Sequence, residues 1–268
     1  MGSYFLSFLG IGKTKKDRAF ELDLLRGIAI IMMMFMHFSF DVRYEFGQDA
    51  FSYLKTSWFW VFVHPVILVL FVGVSGICCS FSRNNIKRGF SLLSIALAFT
   101  LVTAFITNVL DIRCLIIFNV LHLLSVSMLL YAALDALGRK AGLSYNAISF
   151  IISILGIYII TLATKIDMLD CCTSNMIFYP IGFEIEGSPY VADYMYIVPW
   201  MGVFFAGTAL GRSVYKDKKS LFPGAGDTTR KITAPFEFLG RHSLIIYLVH
   251  QPIIYGLLFL IFKLTGKI

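Results

Sequence analysis

The chain has 268 residues, of which 58% are hydrophobic and 15% are charged, and its formal net charge is +7. Charged residues make up about 25% of an ordinary soluble domain, so the polar side chains that would cover a soluble surface are missing here. The same composition excludes a disordered chain, and 5 cysteines do not provide a disulfide scaffold. The sequence therefore predicts an integral membrane protein.

Seven continuous apolar runs follow one another along the chain. A helix needs about 20 such residues to cross a hydrocarbon core of roughly 30 Å, and continuous runs favour helices over the alternating strands of a barrel. The runs cover residues 22–40, 58–81, 90–110, 115–137, 148–163, 196–214 and 243–262. The predicted fold is all-α, a polytopic membrane protein with about seven transmembrane helices in a single domain over residues 1–268.

The distribution of Lys and Arg predicts the orientation. If the N-terminus lies in the cytoplasm, 17 of the 23 basic residues fall on the cytoplasmic side and the other 6 outside. Residues 1–17 then form a cytoplasmic or interfacial segment, residues 165–194 an acidic outer loop, and residues 216–235 a basic cytoplasmic loop. The C-terminus is extracytoplasmic. Because cytoplasmic retention explains the positive charge, nucleic acid is not an expected partner.

Polar residues in the first run form the densest candidate site, since charged side chains are costly inside a membrane. Arg26 and His37 share one helix face, three turns and about 20° apart, with a rise of about 16 Å between them. Asp41 comes one turn after His37, where its carboxylate is placed to orient the imidazole. Asp23 is placed to pair with Arg26. Alternatively, the two residues only mark a helix start, with an acid in the first turn and an arginine that extends to the membrane surface.

Three histidines lie in later spans. His122 and His250 are each either site residues or partners in interhelical hydrogen bonds that hold the bundle together. Pro252 follows His250 and loosens its helix. For His64, a hydrogen bond that holds the bundle together is the favoured interpretation.

Two further groups lie near the ends of predicted spans. One group consists of Arg241, His242 and Ser243. It is either an ordinary helix start or a site where backbone N–H groups and a guanidinium bind phosphate. On the outer side, residues 192–202 are rich in aromatic groups, which are typical of an interfacial belt. The candidates in that segment are Asp193, Tyr194 and Trp200.

Motifs of soluble enzymes are missing from the sequence. There is no phosphate loop, no dinucleotide-binding glycine pattern and no HExxH motif. The cysteine pairs at 78–79 and 171–172 are adjacent residues and do not have zinc-site spacing, so no metal is expected. Cys114 and the pair at 171–172 are predicted to face outward, which leaves a disulfide with Cys171 or Cys172 open.

Several short motifs resemble one family when they are taken in order. They are the segment from Arg18 through Asp23 and Arg26-Gly27 with His37 and Asp41, then Phe118-Asn119-Val120-Leu121-His122, Asp193-Tyr194 with Pro199-Trp200-Met201-Gly202, and Gly240-Arg241-His242-Ser243 with His250-Gln251-Pro252. Together they resemble prokaryotic members of the heparan-alpha-glucosaminide N-acetyltransferase catalytic-domain family. The resemblance covers residues 18 to 255. The spacing of Arg26 and His37 is also similar to that of the wider transmembrane acyltransferase group.

The resemblance implies an enzyme that moves an acetyl group from cytoplasmic acetyl-CoA to a sugar hydroxyl or amine across the membrane. Arg26 and Arg241, with His242 and Ser243, are the implied donor-binding residues. His37 would act as general base or carry a transient acyl group, and Asp41 would hold its tautomer. His122 and His250 are second-rank catalytic candidates. The implied acceptor-binding residues are Asp193, Tyr194 and Trp200.

The expected partners are the lipid bilayer, acetyl-CoA as the acyl donor, and a carbohydrate or glycolipid acceptor, in the inner (cytoplasmic) membrane. Whether the chain forms a homodimer is left open. The alternative function is a proton- or ion-coupled transporter that uses the same His and Asp residues as a relay. However, the sequence has no inverted repeat of the kind many transporters have. A scaffold without chemistry is a third reading, and the Arg26–His37 face argues against it.

Overall fold

The computed structural model describes residues 19–166, 172–173, 175–185 and 191–266, and the predicted segment 1–17 lies outside them. The regular structure of the described chain is almost entirely helical, which confirms the all-α prediction. Its α-helices are α1 (Phe20–Phe40), α2 (His64–Ser80), α3 (Asn85–Leu110), α4 (Val120–Lys140), α5 (Tyr145–Ile166), α6 (Trp200–Ser213), α7 (Asp227–Arg241) and α8 (Ser243–Leu264).

Shorter elements connect these helices. The π-helical turn Asp41–Glu45 extends α1, and a second one, Phe59–Val63, leads into α2. The 3-10 helices are Ser52–Lys55 and Met176–Ile181. The two-residue strands β1 (Cys172–Thr173) and β2 (Glu184–Ile185) pair in parallel.

Six helical stretches of the described chain are long and apolar enough to cross a membrane: Phe20–Glu45, Phe59–Ser80, Asn85–Leu110, Val120–Lys140, Tyr145–Lys165 and Ser243–Leu264. They correspond to six of the seven predicted runs. The run at residues 196–214 instead forms α6, whose 14 residues give a length of about 21 Å, short of the roughly 30 Å core. The count of seven spans and the orientation of the termini therefore stay predictions.

The segment 216–235, predicted as a loop, is a loop only as far as Gly226. Helix α7 begins at Asp227, which places an acid in the first turn of the helix. The apolar side chains of α7 lie on one face, and the helix has little net hydrophobicity. A search for continuous apolar runs therefore does not find it.

The chain divides into two compact units: Met1–Val74 with Asp217–Ile268, and Ser75–Lys216. In the first unit, α1 packs against α7 and α8. Helices α1 and α7 meet at two glycines. A Cβ on Gly27 would overlap the carbonyl oxygen of Phe236, and a Cβ on Gly240 would overlap that of Asp23. The backbones can approach this closely because neither glycine has a side chain.

Near the end of α1, the first unit also has an apolar cluster that joins the π-helical turn to α8. Val42 of the turn and Phe46, which directly follows the turn, pack with Leu258 and Phe262 of α8. The cluster holds the chain just after α1 against the second half of α8, on the C-terminal side of the place where polar residues of the two helices meet.

The second unit contains helices α3 to α6. Helices α5 and α6 approach through Gly156 and Gly202, where a Cβ on Gly202 would lie 2.6 Å from the carbonyl oxygen of Gly156. The backbone of residues 192–195 bonds to the segment before α4, through Ala192 N–H to Leu115 O at 2.8 Å and Met195 N–H to Phe118 O at 3.1 Å.

Candidate active site

The basic end of the candidate site lies near the start of α1. The Arg26 guanidinium is 3.9 Å from the carboxylate of Asp23, which confirms the predicted pairing. Arg241 ends α7 and pairs with Glu237 at 3.5 Å. The glycine contacts between α1 and α7 directly follow Arg26 and directly precede Arg241 in the sequence, so both arginines flank the same helix crossing. The structure therefore places these two predicted donor-binding residues at one end of the first unit.

His242 and Ser243 form the junction between α7 and α8. His242 donates from Nδ1 to the carbonyl of Phe238 at 2.8 Å, and its ring lies 4.3 Å from the Phe238 ring. Ser243 is buried and is the first residue of α8. This donor set fits an anionic phosphate, because each arginine ion pair engages one guanidinium nitrogen and an α-helix N-terminus presents free backbone N–H groups.

Two histidines meet at the other end of the α1 face. The rings of His37 and His250 lie 5.0 Å apart between centroids, inclined at 62°. His250 is buried, and its Nδ1 donates to the carbonyl of Tyr247 at 2.7 Å. A carbonyl only accepts hydrogen bonds, so Nδ1 carries the proton and Nε2 carries the lone pair of the neutral ring. His64 lies within electrostatic range of His37, and its ring contacts the Trp60 ring at 5.1 Å.

Asp41 is held by a residue that the sequence analysis did not assign a role. Asp41 is 1% exposed, and each of its carboxylate oxygens lies 3.0 Å from Nε2 of Gln251. Hydrogen bonds to a charged group contribute about 1.5–3 kcal/mol, so this contact is a strong link between α1 and α8. The role of Asp41 toward His37 stays a prediction. The signal for Gln251 was its position between His250 and Pro252, an amide in the middle of an apolar run.

His122 lies in the second unit and has partners at both ring nitrogens. Its Nδ1 is 3.3 Å from the backbone N of Asn119 and 3.0 Å from Asn119 Oδ1, and its Nε2 is 3.3 Å from the Thr100 hydroxyl on α3. Asn119 also accepts from the Leu121 N–H and so caps α4. This arrangement is the one expected if His122 links two helices.

The three predicted acceptor-binding residues also lie in the second unit. The Tyr194 hydroxyl donates to the carbonyl of Tyr179, and the rings of these two tyrosines lie 4.3 Å apart. Burial raises the pKa of both Tyr194 and Tyr179 above the ordinary value, so both stay protonated at neutral pH. Asp193 lies within electrostatic range of His122, and Trp200 begins α6.

The described residues contain no group of three His, Cys, Asp or Glu side chains that could hold a metal ion. Cys114 is a free thiol whose sulfur lies 3.7 Å from the Thr107 hydroxyl. The disulfide that was left open between Cys114 and Cys171 or Cys172 is therefore not formed, and Cys171 lies outside the described residues.

Comparison with known proteins gives one family. The model of the catalytic region of heparan-alpha-glucosaminide N-acetyltransferase matches residues 18–252, which include the α1 face, the α1–α7 crossing and the residues at the contact with α8. No curated protein and no solved structure gives a significant match. The family match covers most of the chain, and this membrane-helical protein belongs to the heparan-alpha-glucosaminide N-acetyltransferase catalytic-domain family.

Proposed function

We propose that this protein transfers an acetyl group from cytoplasmic acetyl-CoA to a hydroxyl or amine of an extracytoplasmic sugar or glycolipid, in the cytoplasmic membrane. Family membership supports acetyltransferase activity in general. The observation that carries the finer proposal is the approach of His250 on α8 to His37, with 5.0 Å between the ring centroids, because His37 lies on the α1 face that also carries Arg26. The distance along α1 from Arg26 to His37 is about 16 Å.

The two ends of this face suit the two substrates. With the N-terminus in the cytoplasm, Arg26 and Arg241 lie on the side where CoA is present, and His37 lies toward the outside. Guanidinium groups bind phosphate through several donors, and His242 and Ser243 add a helix start beside them. The pantetheine arm would then carry the thioester along α1 toward the histidines.

The transfer step requires a base beside the thioester carbonyl. The acceptor oxygen or nitrogen attacks the carbonyl carbon, the new C–O or C–N bond forms, and the C–S bond breaks to release CoA thiolate. We assign His37 to take the proton from the acceptor and to return it to the departing sulfur. His250 has its tautomer set by Tyr247, and it offers Nε2 as a second site for that proton.

The acceptor would bind on the outer side. Sugars pack on aromatic rings and donate hydrogen bonds to carboxylates, and we assign these roles to Tyr194, Trp200 and Asp193. The Tyr194 hydroxyl donates its one proton to the Tyr179 carbonyl, which fixes the orientation of the ring and leaves the oxygen to accept a hydrogen bond from a sugar hydroxyl.

The test compares His37→Gln and Arg26→Ala with wild type in nanodiscs, by acetyl-CoA binding and by CoA release with sugar acceptors. Loss of the base should reduce turnover by about 100- to 10,000-fold with donor binding unchanged. Arg26→Ala should weaken donor binding instead. Lys231→Ala removes an exposed cation of α7 and serves as the matched control, with both properties close to wild type.

Two results would contradict the proposal. One is full turnover by folded His37→Gln protein. The other is the failure of folded wild-type protein to bind any acyl-CoA, which would favour a proton-coupled transporter that uses the same residues.

A further inference from the structure

We propose that Gln251 is a positioning residue, which holds the Asp41 carboxylate in place beside the histidine pair and so sets the geometry of acyl transfer. This inference rests on the proposed function, because it concerns the same site. The inference adds Gln251 of α8 to the site, with a role that differs from that of His37 as the base.

The orientation of the Gln251 amide follows from its partner. An ionised carboxylate only accepts hydrogen bonds, so the amide must present Nε2 to Asp41, and it does so at 3.0 Å to each oxygen. The opposite atom, Oε1, is buried without a hydrogen-bond partner among the described residues. The contact with Asp41 thus orients the amide, although this orientation leaves the amide carbonyl without a hydrogen bond to the described residues.

The surroundings of the contact make it rigid. Asp41 begins the π-helical turn, a local widening that often occurs at functional sites. The apolar cluster of Val42, Phe46, Leu258 and Phe262 packs next to it and keeps α1 and α8 together. A hydrogen bond in such a medium is stronger than one in water, because competing solvent is excluded.

The same contact sets the distance between the histidines. Asp41 follows His37 by one helical turn on α1, and Gln251 follows His250 directly on α8. The two helices therefore meet in two adjacent pairs: His37 with His250, and Asp41 with Gln251. A shift of Asp41 would move the carboxylate relative to His37 and change how the two imidazoles face each other.

An isosteric exchange separates positioning from simple helix packing. Gln251→Glu places two carboxylates against each other, and Asp41→Asn removes the charge. The double variant Asp41→Asn with Gln251→Glu restores an amide–carboxylate contact of the same size but moves the charge from α1 to α8. Gln48→Glu is the matched control, because Gln48 donates to the Phe46 carbonyl in the loop after the turn.

We expect the two single variants to lose about 100-fold in kcat, the order of magnitude for misplaced catalytic groups, with KM for acetyl-CoA unchanged. The double variant should regain the thermal stability of wild type but remain slow. Gln48→Glu should retain wild-type turnover. Recovery of kcat in the double variant would show that the contact only clamps the helices, and it would overturn the inference.

The pH profile of Gln251→Glu gives a second readout. Two carboxyl groups in contact can share one proton, so their contact holds while one is protonated and breaks when both are ionised. The ratio of its kcat to that of wild type should therefore fall as pH rises, and a ratio independent of pH would count against the inference. The other titratable or charged groups around the contact are His37, His64, His250, Arg43 and Glu45.

The outcomes also separate this inference from the proposed function. If wild-type protein transfers no acetyl group, the proposed function fails and the positioning role fails with it. If wild-type protein is active and the Gln251 and Asp41 variants match it in kcat, the inference alone is wrong.

Discussion

Arg212 shows at the scale of single residues how this chain accommodates a cation inside an apolar unit. Its side chain is 2% exposed, and each of its nitrogens has an acceptor. Nη1 donates to Asp135 at 2.6 Å and to the Tyr131 hydroxyl at 3.2 Å, Nε to the Ser149 hydroxyl at 2.7 Å, and Nη2 to the Tyr145 carbonyl at 3.1 Å. The ion pair is thus part of a network that joins α4, α5 and α6.

Removing Arg212 should therefore destabilise the second unit. We expect Arg212→Met to lower the free energy of unfolding by about 3–5 kcal/mol, because the acceptors of this network lose their buried donor and Asp135 keeps only a partner that is itself exposed. Asp135 also pairs with Arg139, whose side chain is 70% exposed. Arg139→Ala is the control and should cost about 0–1 kcal/mol. The buried thiol of Cys79 becomes accessible only when the protein unfolds. Its reaction with a thiol-specific dye during heating therefore measures the thermal stability of both variants. Equal losses for the two arginines would contradict this account.

The residues on α1 were predictable, because the helical period relates them directly. Arg26, His37 and Asp41 follow from counting turns along one segment. Gln251 does not, since it lies 210 positions from Asp41 and only packing of α8 on α1 brings the two together. A single polar residue in an apolar run shows that a partner is required, but its identity depends on which helices are neighbours.

At the scale of elements, the crossing of α1 and α7 depends on the absence of two side chains. A Cβ on Gly240 would overlap the backbone of α1 at Asp23, and a Cβ on Gly27 would overlap that of α7 at Phe236. These atoms belong to helical backbone, which cannot rotate away as a side chain can. The same crossing carries Arg26 and Arg241, so its geometry matters for the proposed donor site.

We expect Gly240→Ala to lower the free energy of unfolding by about 1–3 kcal/mol, the usual cost of overpacking. It should also weaken acetyl-CoA binding, since α1 and α7 would move apart. Gly256→Ala is the control, because Gly256 lies within α8 with open space at its Cβ. There the change should be neutral or stabilise by up to about 1 kcal/mol. Thermal unfolding and donor titration test both, and wild-type behaviour of Gly240→Ala would refute the close-contact explanation.

Helices α6 and α7 differ most from the elements that the sequence predicts, α6 by its short length and α7 by lying in a segment predicted as a loop. The run at 196–214 is apolar throughout, yet the α-helix in it begins only at Trp200 and ends at Ser213. Helix α7 has the opposite character, because its polar face lowers the average hydropathy. Composition detects helices that are apolar all round, and it underestimates those that pack with one face only.

At the scale of the whole molecule, the distribution of basic residues predicts which loops are cytoplasmic. We expect Lys219→Cys, in the segment before α7, to react with an impermeant thiol reagent only after cells are permeabilised. Arg113→Cys, between α3 and α4, should react in intact cells. Both residues are exposed. A background in which the native cysteines are replaced is needed, since Cys114 is itself a free thiol. The reverse labelling pattern would invert the topology and place the proposed donor site outside.

The sequence by itself determined the class of the protein, because the apolar content and the length of each run depend on composition alone. It also determined the face of α1 that carries Arg26, His37 and Asp41, since a helix places residues at a constant angle. Only the tertiary structure decided that His250 and Gln251 face that segment and that Arg241 lies beside the same crossing as Arg26. These relations depend on which helices are neighbours, and close approach at two glycines and one apolar cluster establishes them.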